Sequence, residues 1–298
     1  MRHVFIINPY AGKRDQTSRI YGMADHLRDE HGLECACMLT DRPGGATDMA
    51  RKLAETGEEL RIYACGGDGT IHEVANGVAG FPNAAMTAIP TGTGNDFLKN
   101  FGDDAAKFAD ADNLWDGDVF PLDLIDCNGI DARIADSVHQ YSGTPLLSGR
   151  GSYLASVAVN FLLKPIGRHW KVWLDGEELE DDFALVSMCN GRYYGGGSMP
   201  VPEARMDDGV LHTVLIKNVS KATFARLFAP YSAGEYRKLP QELVRVSTAG
   251  TVRIQSETEL VTCLDGECFR GHEVVMGLSD KRLNFFGPKG CSPNATAR

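Results

Sequence analysis

The chain has 298 residues, 43% hydrophobic and 23% charged, enough apolar material for one large domain or two. With 40 acidic and 30 basic side chains the net charge is -10, which argues against a broad nucleic-acid-binding surface while leaving room for a local basic patch. No run approaches the roughly eighteen apolar residues that a membrane-spanning helix requires.

Residues 4–7, Val-Phe-Ile-Ile, read as a short buried strand, and they meet Asn8-Pro9 too soon to form the apolar core of an export signal. Ser18, Tyr21, Ala24, Asp25, Leu27 and Arg28 then show helical spacing up to Gly32. The next strand is 33–39, followed by a helix over 46–56 that stops at Gly57. A third strand at 60–64, a helix over 71–78 ending near Gly80 and a fourth strand at 86–89 complete the series. Strands alternating with helices predict a parallel sheet with helices on both faces, and in such sheets ligands bind outside the carboxyl ends of the strands. The turns 8–12, 66–69 and 92–94 all sit at carboxyl ends.

After a helix expected over 152–163, short β-type runs take over at 169–174, 183–189, 210–216, 244–246, 251–255, 260–264 and 273–277, separated by Gly, Asp and Asn turns. Residues 223–231 form the one later helix candidate, and 282–286 a last strand returning to the first domain. The fold class expected is α/β plus all-β. An N-terminal parallel-sheet nucleotide-binding domain over 1–122, with about 284–298, precedes an antiparallel β-sandwich-like domain over 123–283. The boundary is hardest to place within 115–129, where Asp, Gly and Asn are dense. The 8 cysteines follow no metal-ligand spacing, and Cys35-x-Cys37 is too tight for the usual zinc pair, so reduced thiols in a cytoplasm are expected.

The stretch 65–77, Cys-Gly-Gly-Asp-Gly-Thr-Ile-His-Glu-Val-Ala-Asn-Gly, puts glycines around one acid where a strand gives way to a helix. Such a turn can aim backbone N–H groups at an anion, with the helix N-terminus adding partial positive charge. Glycine would serve both close backbone approach and positive φ. The loop lacks the lysine and spacing of a Walker A motif and is not G-x-G-x-x-G. On these residues alone, phosphate binding and a structural tight turn stand level. Asp68 would handle a metal, fix the loop by hydrogen bonds or cap its helix. A second glycine turn, 90–97 (Pro-Thr-Gly-Thr-Gly-Asn-Asp-Phe), again follows a strand and again carries an acid and hydroxyls. Two such turns at neighbouring strand ends point to a nucleotide.

With those residues in view, the chain resembles the diacylglycerol kinase catalytic-domain family, specifically the soluble bacterial lipid kinases. The match is carried by Asn8-Pro9-Tyr10-Ala11-Gly12-Lys13, by Gly66-Gly67-Asp68-Gly69-Thr70 with Glu73 and Asn76, and by Gly92-Thr93-Gly94-Asn95-Asp96-Phe97. It continues through Tyr194-Gly195-Gly196-Gly197, Pro202-Glu203-Ala204 and Asp207-Asp208-Gly209 to Leu264-Asp265-Gly266-Glu267. The resemblance implies ATP bound through Asn8, Thr40, Gly66, Gly67, Asp68, Gly69, Thr70, Ile71, His72 and Thr93. It implies transfer of the γ-phosphoryl group to a lipid hydroxyl, with Glu267 as base and Asp68 and Asp96 orienting a catalytic Mg²⁺ and the phosphates. A structural Mg²⁺ would be held by Asp208 and the backbone carbonyls of Arg205 and Val210. The implied partners are ATP and a lipid alcohol presented at a membrane surface, to a cytoplasmic enzyme in peripheral contact with it. Homodimers occur among members, and nucleic acid is not expected. The chemistry is coherent: phosphoryl transfer rests on positioning and charge stabilisation, an alcohol nucleophile benefits from a nearby carboxylate, and oxygen-rich acids suit Mg²⁺.

Each assignment has an ordinary competitor. His72 stands where backbone contact outweighs imidazole chemistry, and Lys13 is a phosphate contact or a surface lysine in equal measure. Glu177, Glu178, Glu180, Asp181 and Asp182 read as a solvated hairpin face, and Asp207-Asp208-Gly209 as a turn on propensity alone. Asp175-Gly176-Glu177 repeats the tripeptide of Asp265-Gly266-Glu267, and as a hairpin turn Asp-Gly explains both. Only the resemblance selects Glu267. The sequence also departs from the family at 127–133, Cys-Asn-Gly-Ile-Asp-Ala-Arg, where several residues of the usual N-x-x-x-x-G-F-D-A strand are missing, and Gly94 should loosen its loop. Leu146, Leu147, Leu154, Val157 and Phe161 are candidates for a lipid cleft, and Arg150, Lys164, Arg168 and Lys171 for a basic patch. The acceptor stays open among diacylglycerol, a sphingoid base, ceramide and other long-chain alcohols. An NAD kinase, which shares Gly-Gly-Asp-Gly-Thr, and a catalytically silent nucleotide-binding protein are the alternative readings.

Overall fold

The computed structural model describes residues 1–128, 167–265 and 267–295. They form two compact units, Met1–Leu124 with Asp280–Arg298, and Ile125–Ser279. The helix expected over 152–163 lies outside the described residues, as do Leu146, Leu147, Leu154, Val157, Phe161, Arg150, Lys164 and residues 129–133.

The first unit is built on the parallel strands β1 (Arg2–Ile7), β2 (Glu34–Leu39), β3 (Leu60–Gly66) and β4 (Ala84–Pro90), in the order β2-β1-β3-β4. The end of β11 (Glu267–Gly287) adds beside β4 in parallel, with Phe285 opposite Met86, so the chain end returns as the sequence suggests. Val4, Phe5 and Ile6 are fully buried, which explains an unbroken apolar run: a parallel strand is covered on both faces. Each such side chain contributes about 1.5–3 kcal/mol by leaving water.

Helices α1 (Thr17–His31), α2 (Gly45–Ala54) and α3 (Asp68–Val78) fill the connections. Gly32 closes α1 at φ 64°, a conformation that favours glycine. The α2–α3 crossing depends on Gly77, where a Cβ would come within 2.6 Å of Ala50 Cβ and 2.7 Å of the Thr47 carbonyl oxygen. Elsewhere in this unit Phe5 and Tyr63 stack at 4.2 Å. The Arg61 guanidinium lies over Phe286 and donates to the carbonyls of Leu114, Trp115 and Gly117.

Past β4 runs a 3₁₀ segment, Phe97–Ala109, broken at Gly102. Its Phe97, Phe101 and Phe108 pack on Phe285. The stretch 115–129, unassigned from sequence, holds strand β5 (Asp118–Asn128). Its alternation is masked by Asp123, a buried acid whose partner, Arg282 at 3.0 Å, is remote in the chain.

The second unit is an antiparallel array, β11-β10-β6-β7-β8-β9, of β6 (Arg168–Leu174), β7 (Glu177–Cys189), β8 (His212–Lys217), β9 (Val244–Thr248), β10 (Thr251–Leu264) and the start of β11. Successive residues of β8 serve different cores. Leu215 joins Val172, Val252, Ile254 and Val274, whereas Val214 and Ile216 join Leu227 and Tyr231 of helix α4 (Lys221–Ser232). A sheet covered on both faces in this way is sandwich-like. The runs 251–255 and 260–264 prove to be one strand with an irregularity between Gln255 and Leu260, and 273–277 and 282–286 are likewise one strand. Polar exposed residues such as Glu257, Thr258 and Glu259 hid that continuity. No helix among the described residues is long and apolar enough to cross a membrane.

Candidate functional site

Strands β3 and β4 pair in register from Leu60 opposite Ala84 to Gly66 opposite Pro90, so their carboxyl ends deliver the two glycine turns side by side. The turns are then joined by backbone bonds. Thr91 and Gly92 N–H donate to the Gly66 carbonyl at 2.9 and 3.0 Å, and Asp68 N–H donates to that of Gly94 at 3.0 Å. Asn8, at the end of β1, completes the set: its N–H donates to the Cys65 carbonyl at 3.0 Å and its side-chain amide to Thr70 Oγ1 at 3.3 Å.

This packing explains most of the glycines, and it replaces the positive φ expected of them with close approach alone. A Cβ on Gly92 would lie 2.4 Å from Gly67 Cα, one on Gly67 2.8 Å from the Gly94 carbonyl oxygen, and one on Gly66 2.1 Å from Thr70 Oγ1. Yet none of Gly66, Gly67, Gly69, Gly92 and Gly94 has positive φ. Close approach, of loop to loop at Gly67 and Gly92 and of strand end to helix at Gly66, is what these positions require, not left-handed backbone. Gly69 is the exception. A Cβ there would meet nothing within 4 Å, and its N–H has no partner among the described residues. In the first turn of α3, then, glycine leaves open space beside a free donor, the arrangement that suits an anion at a helix N-terminus.

Asp68 fastens the second turn to the first. Its Oδ2 accepts the N–H of Asp96 at 2.9 Å and its Oδ1 that of Phe97 at 3.1 Å, where the 3₁₀ segment begins. Asp96 is paired in turn with Lys99 at 2.5 Å. Lys99 was not singled out from sequence, although its three-residue spacing from Asp96 is a usable signal. Glu73 accepts from the N–H groups of Gly44 and Ala46 at 2.9 and 3.0 Å, satisfying the start of α2 with a negative charge. Those partners lie 29 and 27 residues away, so spacing could not reveal the role.

Of the other expected residues, Thr70 and Ile71 are buried in α3, and Thr93 is exposed. His72 is engaged by Asn76, whose amide donates to the His72 carbonyl at 2.9 Å and lies 3.1 Å from Nε2. Thr40 follows β2, buried, with its N–H on the Ile7 carbonyl at 2.9 Å. Asn8, Gly66 to Ile71 and Thr93 thus belong to the ends of β1, β3 and β4, while Thr40 sits one strand further out. Arg205, Asp208, Val210 and Glu267 belong to the second unit.

There the aspartates that open the two Asp-Gly-Glu copies share one unusual backbone, Asp175 at φ 49° and Asp265 at φ 48°. The first copy is committed to the fold. Asp175 accepts from the N–H groups of Gly250 and Thr251 at 3.1 and 2.8 Å, and Glu177 forms a two-pronged pair with Arg245 at 3.0 and 2.8 Å. That pairing holds the Glu177 carboxyl below its ordinary range. In the second copy, Glu267 opens β11 opposite Leu264. Glu177→Gln is accordingly expected to leave turnover unchanged and to lower stability only slightly, as exposed ion pairs do; parallel turnover and melting measurements check it. In the 205–210 turn, Asp208 Oδ1 accepts the Val210 N–H at 3.0 Å and Gly209 sits at φ 70°. A carboxylate and carbonyl oxygens from one tight turn have the donor chemistry of a hard cation.

Comparison with known proteins places these features. A family model described as diacylglycerol kinase catalytic domain matches residues 2–127, and one described as YegS C-terminal NAD kinase beta sandwich-like domain matches residues 126–284. The chain is similar to the diacylglycerol kinase of Bacillus subtilis (strain 168), 26% identical over 275 residues and 88% of each chain. It is similar also to that of Staphylococcus epidermidis (strain ATCC 12228), 28% identical over 271 residues, covering 88% of this chain and 84% of the relative. Among solved structures, a diacylglycerol kinase from Bacillus anthracis str. Sterne aligns with a TM-score of 0.66 at 21% identity over 96% of both chains, a likeness of fold.

Proposed function

The chain belongs to the diacylglycerol kinase catalytic-domain family, a family of lipid kinases, and we propose that it transfers the γ-phosphoryl group of ATP to the hydroxyl of a diacylglycerol-like lipid or a related long-chain alcohol. The observation that carries the nucleotide half is Gly69: an N–H without a partner among the described residues, beside open space, at the start of a helix and in a glycine turn bonded to its neighbour. The glycine turns, Asn8 and Thr93 would receive the triphosphate, with backbone N–H groups supplying the positive ends of dipoles where negative charge accumulates. Asp68 holds the second turn against the first through the N–H groups of Asp96 and Phe97, Asp96 is steadied by Lys99, and the two acids would orient the catalytic Mg²⁺ and the phosphates. Mg²⁺, when bound, would neutralise charge on the β- and γ-phosphates. Asp208 with the carbonyls of Arg205 and Val210 would hold a second, structural Mg²⁺.

Glu267 would take the proton of the attacking hydroxyl. Two features support it over its twin: Glu177 is spent on Arg245, and the matched motif falls at 264–267. We place the reaction in the cytoplasm, at a membrane surface from which the lipid is drawn.

Gly69→Ala tests the nucleotide site. Alanine has room, and it favours the helix by about 1 kcal/mol, so the melting temperature should hold or rise. ATP affinity should nonetheless fall about tenfold or more, a loss of roughly 1.4 kcal/mol, because the methyl occupies the anion's approach. Unchanged affinity in calorimetric titration would remove the triphosphate from this turn. A second reading, phosphorylation of NAD, is favoured by the Gly-Gly-Asp-Gly-Thr turn and by the NAD kinase-like description of the matched β domain. It would leave transferred phosphate on a water-soluble product.

A further inference from the structure

Away from the glycine turns, α1 and the turn Ala111–Asn113 bring two imidazoles to one carboxylate. His31 Nε2 lies 2.7 Å and His26 Nε2 3.5 Å from the same atom, Asp112 Oδ1, and the three ligand atoms all fall within 4.8 Å of one another. We propose that His26, His31 and Asp112 form a binding site for a borderline transition-metal ion of the Zn²⁺ class, separate from the Mg²⁺ of phosphoryl transfer.

The donor set decides the class of metal. Two neutral imidazoles and one carboxylate suit Zn²⁺, Ni²⁺ or Co²⁺, whereas Mg²⁺ prefers oxygen throughout. Bonds of about 2.0–2.1 Å to a tetrahedral ion put its ligand atoms roughly 3.3 Å apart. The observed separations bracket that value, and all three side chains are partly exposed, so small rotations of His26 and Asp112 suffice to close on an ion beside His31.

The supports of the site are rigid. The Asp112 N–H is held by the Asp110 carboxylate at 3.1 Å. The His31 ring stacks on Trp115 at 4.4 Å between centroids, which fixes its plane. Three protein ligands leave a fourth position, and a cavity of about 370 Å³ opens beside them, lined by Arg19, Gly22, Met23, His26, Asp110 and Asp112. That is room for a water or a small anion as the remaining ligand. An ion here would tie the last turns of α1 to the segment that follows the second glycine turn, stabilising the first unit.

The test is calorimetric titration of the full chain with Zn²⁺ and, separately, with Co²⁺ under visible spectroscopy. One equivalent should bind, with cobalt spectra free of the sulfur charge-transfer band that thiolate ligands add. Binding should be lost in His26→Ala and in Asp112→Asn and kept in the double variant Cys35→Ser, Cys37→Ser. His26 does not stack on Trp115, so its variant keeps the fold and the loss reads on the metal alone. Unchanged stoichiometry in His26→Ala and Asp112→Asn, loss in the cysteine variant, or no binding by the parent chain would each overturn the site and leave an ordinary surface ion pair.

Discussion

Glu267→Gln is expected to lower phosphoryl transfer about a hundred- to ten-thousandfold, the range for losing a general base, while ATP binding is unchanged. The substitution keeps the size of the side chain and removes only its capacity to take a proton. It leaves the turn intact, because the residue that needs the unusual backbone is Asp265, at φ 48°. The expected signature is therefore a fall in kcat with the ATP dissociation constant and melting temperature held. The paired variant Glu177→Gln sharpens the reading, since its carboxylate is bound to Arg245. Normal turnover in Glu267→Gln would remove this carboxylate from the mechanism, and loss in Glu177→Gln instead would reverse the choice between the copies.

Asp68→Asn should be the most damaging single-atom change in the first unit. Both carboxylate oxygens accept backbone N–H groups, at 2.9 Å from Asp96 and 3.1 Å from Phe97. Asparagine offers one acceptor and one donor, so whichever way its amide turns, one N–H faces another. A charged acceptor is worth about 1.5–3 kcal/mol, and the stranded donor adds about 1–3 kcal/mol more, so a loss of about 3–5 kcal/mol is expected. Denaturant unfolding of the variant measures that, and turnover should fall with it because the second turn is no longer held against the first. A variant that keeps full stability and loses only turnover would show that Asp68 acts on the substrate or its metal and not through the loop. One that keeps both would remove it from the account.

How far the sequence spoke for the molecule can be argued from its glycines. Gly32, Gly57 and Gly80 stop helices as expected and do so at φ 64°, 76° and 81°, a local requirement that a single sequence states openly. Gly67, Gly92 and Gly94 of the two turns serve contacts with residues more than twenty positions away. Sequence could mark them as unusual, yet it could not distinguish those that make room for another loop from Gly69, beside which the space is open. The parallel strands were legible because burial on both faces writes an unbroken apolar run. Strand β5 was not, because Asp123 is made tolerable by Arg282, and the fused strands β10 and β11 were not, because their middles face water. Glu73 stood out only through the resemblance, since its partners lie 29 and 27 residues away, and Lys99 only through its spacing from Asp96. Between the two identical tripeptides only the resemblance chose, and the Arg245–Glu177 pair, which spacing does not reveal, adds support for the second copy.

The most direct measurement follows the phosphate itself. Purified protein is incubated with γ-labelled ATP, Mg²⁺ and either mixed lipid vesicles containing diacylglycerol or NAD, and the products are separated between organic and aqueous phases. Label carried into the organic phase, absent with Glu267→Gln and diminished with Gly69→Ala, is the predicted result. Label found only on NAD, or no transfer to either acceptor, would contradict it.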